Sequence, residues 1–134
     1  MSDPYWYSYL AGLIDGEGCF LVHTHANKKS KLGYSWQVSL TITQADYPFL
    51  QSIRETLGYG QVVFSRAHFI NFSANHCREL IPKILPFLKI KKDQAELVLE
   101  ALTYTKMRHR KQRMEYCDRK LHEIDRKLKA LHTH

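Results

Sequence analysis

Cysteine is scarce in this chain, and the three that occur do not pair. Cys19, Cys77 and Cys117 are odd in number and widely spaced, with no CxxC pair. This excludes a disulfide framework and the common zinc arrangements, and it fits a reducing compartment. No apolar run approaches the roughly 18 residues that a membrane-crossing helix needs. The N-terminus also lacks the basic-then-apolar order of a secretion signal. The expectation is a soluble intracellular protein, with cytoplasm and organelle (mitochondrion or chloroplast) left undistinguished. Acids are in short supply: 13 Asp and Glu stand against 20 Lys and Arg, a formal net charge of +7. Such an excess favours polyanions, of which nucleic acid is the commonest, although a surface that only maintains solubility carries the same charge. His23 and His25 have no partners at ligand spacing and read as surface or groove residues rather than metal ligands.

What remains is globular. The chain has 134 residues, 44% hydrophobic and 25% charged, which suits one domain with its own core. Asp3-Pro4 opens a helix that runs from Tyr5 to about Ile14, and Gly16 and Gly18 stop it. Strict alternation follows. Phe20, Val22 and Thr24 lie on one face, with Cys19, Leu21, His23 and His25 on the other. In a second run Trp36, Val38, Leu40 and Ile42 oppose Ser35, Gln37, Ser39 and Thr41. Period-two patterns of this kind mark two half-buried strands, joined by the loop NKKSKLGYS (Asn27 to Ser35).

Asp46 and Pro48 open a second helix, with Phe49, Leu50, Ile53 and Leu57 on one side, and Gly58 closes it. Gln61–Ser65 and His68–Phe72 form a short hairpin around Arg66-Ala67 whose two faces are both partly apolar, so its orientation stays open. Cys77, Leu80, Ile81 and Ile84 give another helical stripe, which Pro82 must kink or begin. A further helix covers Asp93 to about Met107. The order αββαββα predicts an α+β fold: an antiparallel sheet with helices on one face and a C-terminal helical extension. The expected core spans about 5–107 and the extension about 108–134 of a single domain, 1–134. In that extension Met114, Cys117, Leu121, Ile124, Leu128 and Leu131 recur at three- and four-residue steps. This suggests a coiled-coil seam or an amphipathic helix packed on its own domain, and the short length favours packing. Arg108, Arg110, Lys111 and Arg113 precede it and read either as phosphate contacts or as a solvated basic run.

One stretch does not read as ordinary core. LAGLIDGEG, Leu10 to Gly18, places Ala11 and Gly12 on a helix and two acids, Asp15 and Glu17, at its end, and no second copy occurs in the chain. The segment resembles the signature of the LAGLIDADG homing endonucleases, whose fold is αββαββα. Ile42-Thr43-Gln44 and PFLKIKKDQA (Pro86 to Ala95) resemble further family segments at the expected distances, and the likeness covers about residues 5–102. A single signature resembles the homodimeric branch.

The resemblance implies a homodimeric, site-specific, double-strand DNA endonuclease, an intron-encoded phosphodiester hydrolase using Mg²⁺ (or Mn²⁺) on a long, roughly palindromic target. In the family the signature helices pair across the two-fold axis, which would place Ala11 and Gly12 at the dimer interface and Asp15 at the helix end and the interface, outside the catalytic set. Two carboxylates brought together repel unless a cation lies between them, and Mg²⁺ prefers oxygen ligands. Glu17 and the Gly16 carbonyl are thereby implied as metal ligands. Gln44 matches the position that orders water near the scissile phosphate, and Lys91 the basic residue near it. The implied catalytic set is therefore Glu17, Gln44 and Lys91. Some relatives carry an arginine soon after the Gln44 position; here Ala45 to Pro48 follow, and Lys89, Lys92 and Arg66 are candidates to replace it.

A two-stranded ribbon fits the major groove of DNA, so the polar face of the first hairpin offers His23, His25, Ser35, Gln37, Ser39 and Thr41 as candidate DNA contacts. Its loop adds Asn27, Lys28, Lys29, Lys31 and Tyr34, and the second hairpin adds Ser65, Arg66 and His68. The competing readings are an RNA maturase acting on intron RNA, a DNA-binding regulator that does not cut, and a generic basic RNA-binding domain. The last leaves the signature unexplained.

Overall fold

A computed structural model of the chain describes residues 3–107 and 114–132. The element order is α1 (Pro4–Glu17), β1 (Gly18–Ala26), β2 (Tyr34–Thr43), α2 (Tyr47–Leu57), β3 (Gln61–Phe64), β4 (His68–Phe72), α3 (Ala74–Ile84), a 3₁₀ turn (Leu85–Phe87), α4 (Lys92–Met107) and α5 (Met114–His132). The four strands form one antiparallel sheet in the order β1-β2-β4-β3. This is the expected α+β arrangement. Arg108, Arg110, Lys111 and Arg113 lie outside the described residues.

Alternation sets the sheet's orientation. Phe20, Val22, Val38, Leu40, Ile42, Ile70 and Phe72 are buried in one core with Leu10, Ile14, Leu50, Ile53, Leu80, Ile81 and Val98 from the helices. The register also settles the second hairpin. Val62 pairs with Ile70 and Phe64 with His68, so these share the helix-covered face, while Gln61, Val63, Phe69 and Asn71 share the opposite one.

Helix α1 is longer than the glycines suggested. Asp3 caps it, accepting the Trp6 N–H at 2.8 Å, but Gly16 lies inside the helix, which continues to Glu17. Gly18 is demanded by close approach rather than by backbone angle: a Cβ there would lie 2.7 Å from the Ile14 carbonyl oxygen and 2.8 Å from its Cγ2. Pro82 lies near the C-terminal end of α3, not near its start, and the chain tightens into the 3₁₀ turn soon after.

The C-terminal stripe is used within the protomer. Cys117, Leu121, Ile124 and Leu128 are buried where α5 packs on α4 and β1. Each buried aliphatic contributes on the order of 1.5–3 kcal/mol. Asp118 adds a polar anchor, accepting the Tyr34 hydroxyl at 2.8 Å and the Trp36 indole N–H at 2.9 Å. Helix α5 thereby fixes the far end of the β1–β2 hairpin.

Candidate functional site

The signature segment organises one end of the sheet. Asp15, in the last turn of α1, accepts three backbone N–H groups: Lys89 at 2.8 Å, Ile90 at 3.1 Å and Lys91 at 2.9 Å. These donors lie just ahead of α4, so a carboxylate from another helix caps α4 and meets the positive end of its dipole. The capped turn carries Lys91 to the end of α1, where its ammonium donates to the Gly18 carbonyl. Gly18 directly follows Glu17 in the chain.

Gln44 is brought in by strand register. Gly18 pairs with Ile42, so Gln44, two residues on, leaves the sheet beside the Glu17 end. Its backbone N–H donates to the His68 carbonyl at 3.1 Å. The Glu17 carboxylate is exposed and makes no hydrogen bond or ion pair among the described residues. The fold thus gathers Glu17, Lys91 and Gln44, distant in sequence, around one strand end. Of the candidates for the missing arginine, Lys89 and Lys92 flank Lys91, whereas Arg66 lies at the tip of the second hairpin. Asp46 is committed to capping α2, accepting the Phe49 N–H at 3.1 Å.

The Ala11 assignment requires correction. Ala11 is 0% exposed, packed with Leu10 and Ile14 inside the protomer, and Asp15 holds the Lys89–Lys91 turn. The open face of α1 instead carries Tyr5 (86% exposed), Tyr9 (60% exposed), Gly12 and Gly16. A Cβ on either glycine would meet nothing within 4 Å, so packing inside the protomer does not explain why either position is glycine.

The helix-free face of the sheet carries most of the expected polar set. His23 pairs with Gln37, His25 with Ser35 and Cys19 with Thr41; Gln37 and His25 are exposed, and His23, Ser35 and Thr41 half-exposed. Lys28, Lys29 and Lys31 project from the connecting loop, exposed and without ion pairs among the described residues. Three expectations do not fit the geometry. Ser39 is only 4% exposed. Tyr34 is on the helix-covered face, bonded to Asp118. His68 also faces the helices, its ring against Tyr47 and Phe64. Asn27 organises the loop: its amide donates to the Ser35 hydroxyl at 2.6 Å and accepts the Lys29 N–H at 3.1 Å, which engages Ser35 as well. Ser65 and Arg66 are exposed at the second tip.

Sequence reasoning missed Gln61 and Asn71, which pair with each other and extend the same face beyond Thr41. The signal was the buried pair Ile70 and Phe72, which forces Phe69 and Asn71 outward. It also missed Gln94, a buried polar residue on α4. Cys77 is no nucleophile: burial pushes its thiol up to about 12. Among the described residues no three His, Cys, Asp or Glu side chains converge to hold a metal ion, and no helix is long and apolar enough to cross a membrane.

Comparison with known proteins agrees with this geometry. Residues 10–108 match the family described as LAGLIDADG endonuclease. The DNA endonuclease I-CvuI of Chlorella vulgaris is 30% identical over 105 residues, covering 75% of this chain and 65% of the relative. The DNA endonuclease I-CreI of Chlamydomonas reinhardtii is 29% identical over 98 residues, covering 70% of this chain and 60% of the relative. The chain therefore spans somewhat less than two thirds of either curated relative. A crystal structure of I-CvuI in complex with its target in the presence of calcium superposes with a TM-score of 0.86 at 23% identity, covering 96% of this chain and 82% of that one.

Proposed function

Because this chain belongs to the LAGLIDADG endonuclease family, we propose that it is a site-specific double-strand DNA endonuclease, working as a homodimer with a divalent metal. The observation that carries the reading is the Asp15 clamp. It delivers Lys91 to the peptide beside an exposed Glu17, an arrangement with no evident purpose in a module that only binds.

The donors fit a hard cation. Glu17 offers a free carboxylate, and the Gly16 carbonyl belongs to the last helical turn, where carbonyls have no intrahelical partner. One protomer supplies a single acid there, and a second copy docked on the Tyr5, Tyr9, Gly12 and Gly16 face of α1 brings its own Glu17 close. The open glycines let the two backbones approach. When bound, Mg²⁺ or Mn²⁺ supplies Lewis acidity to the scissile phosphate. The chain's residues do the rest. Lys91, held by the Gly18 carbonyl, presents positive charge where the phosphate gains negative charge. Gln44 orients the attacking water by hydrogen bonding. The open sheet face reads base edges through Gln37, His23, His25 and Thr41, with Gln61 and Asn71 as its continuation. Lys28, Lys29 and Lys31 hold phosphates.

The test uses supercoiled plasmid carrying the intron-free version of the host gene. Wild type should linearise it with Mg²⁺ and not with EDTA. Glu17→Gln keeps size and removes charge, so it should bind the same duplex in a gel shift and leave it intact. Equal cutting by Glu17→Gln overturns the proposed chemistry. Binding of intron RNA without any cutting favours the maturase reading.

A further inference from the structure

Gln94, in the first turn of α4 and three residues beyond Lys91, is 8% exposed, with an Oε1 that has no hydrogen-bond partner among the described residues. Buried amide oxygens are seldom left unpaired, because their lost hydration must be replaced. This one lines a recess of about 270 Å³ together with Gly18, Cys19, Lys91, Leu131 and His132. Such a volume accommodates several waters at roughly 30 Å³ each. In the same recess, the Lys91 ammonium uses one of its three N–H bonds on the Gly18 carbonyl and keeps two to donate. An acceptor without a donor and a donor with spare hydrogens therefore line one pocket, next to the residue that follows Glu17.

We propose that Gln94 is a positioning residue for Lys91: its amide oxygen anchors a water in this recess, and that water accepts from the Lys91 ammonium and fixes its direction. Water suits this role because it donates to the amide and accepts from the ammonium at once. The lysine stem is long and flexible. With the Gly18 carbonyl alone it can pivot; a second tether leaves one N–H directed at the phosphate. The inference rests on the endonuclease reading for its consequence, although the link between Gln94 and Lys91 exists independently of cutting.

The experiment compares wild type with Gln94→Met, which keeps the length and removes the acceptor, and Gln94→Glu, which restores an acceptor. In single-turnover cleavage Gln94→Met should be about tenfold slower, the equivalent of one net hydrogen bond. Its half-saturating DNA concentration should stay unchanged, and Gln94→Glu should recover most of the rate. The second measurement is NMR of lysine labelled at Nζ in the protein without DNA. The Lys91 ammonium protons should be observable in wild type and Gln94→Glu, with cross-relaxation to a long-lived water, and lost to exchange in Gln94→Met. Equal rates for all three proteins, or a Lys91 signal in wild type with no bound-water contact, overturns the proposal. Failure of wild type to cut any duplex overturns the endonuclease reading instead, and the NMR comparison then decides the Gln94–Lys91 link alone.

Discussion

Replacing Asp15 with Asn is the sharpest probe of how the signature builds the site. Asp15 Oδ2 takes the Lys89 N–H, and Oδ1 takes those of Ile90 and Lys91, at 2.8, 3.1 and 2.9 Å. Asparagine offers one oxygen, so at least one N–H then faces an amide NH₂, donor against donor. A hydrogen bond to a charged group is worth roughly 1.5–3 kcal/mol, and the half-exposed position argues for the lower part of that range. The expected loss is about 2 kcal/mol against a native stability of roughly 5–15 kcal/mol, so the variant still folds. With a urea m-value of ~1–3 kcal/mol/M, the midpoint should fall by about 1 M. Amide hydrogen exchange at Lys89, Ile90 and Lys91 should accelerate by about 30-fold, which is the same free energy expressed as an opening equilibrium. Cleavage should slow as Lys91 loses its placement, while affinity for duplex, set by the sheet and its loop, should change little. An unchanged urea midpoint with unchanged exchange at Lys89–Lys91 refutes the clamp.

Three further outcomes are expected. Changing Lys28, Lys29 and Lys31 together to Ala should weaken binding to every duplex and flatten the log–log salt dependence by about 0.9 unit per lost phosphate contact, read by fluorescence anisotropy across a salt series; an unchanged slope places the DNA elsewhere. Gly12→Leu should convert dimer to monomer in sedimentation velocity while far-UV circular dichroism is retained, because a side chain there meets nothing in its own protomer; a persistent dimer removes α1 as the interface. Under native conditions at pH 8, iodoacetamide should modify half-exposed Cys19 before buried Cys77, whose thiol near 12 leaves only about one molecule in ten thousand as thiolate, and bound duplex should protect Cys19; mass spectrometry showing Cys77 modified first contradicts the burial.

Much of the fold was legible because β1 and β2 alternate strictly and the helices announce their caps at Asp3 and Asp46. Periodicity assigns a face, however, and does not report what reaches across it. Ser39 has the right parity for the open face and is still covered. Tyr34 follows the buried parity of Trp36 and Val38, yet the loop composition around it suggested otherwise. Ala11 and Gly12 look equivalent as small residues, but adjacent helical positions point about 100° apart, and only Gly12 faces outward. The Asp15 clamp was not legible for a different reason: its partners are backbone N–H groups more than 70 residues away, and backbone donors leave no trace in side-chain composition. Gln94 escaped notice likewise, since a glutamine in a charged helix gives no sign of burial.

In the proposed chemistry, Glu17 and the Gly16 carbonyl hold the catalytic metal beside Lys91. Anomalous diffraction from crystals of the DNA-bound protein soaked in Mn²⁺ tests it most directly. A manganese peak should appear within about 2.0–2.4 Å of a Glu17 carboxylate oxygen, near the two-fold axis between α1 helices, and should vanish in Glu17→Gln. A peak held by other residues, or one that survives Glu17→Gln, contradicts it.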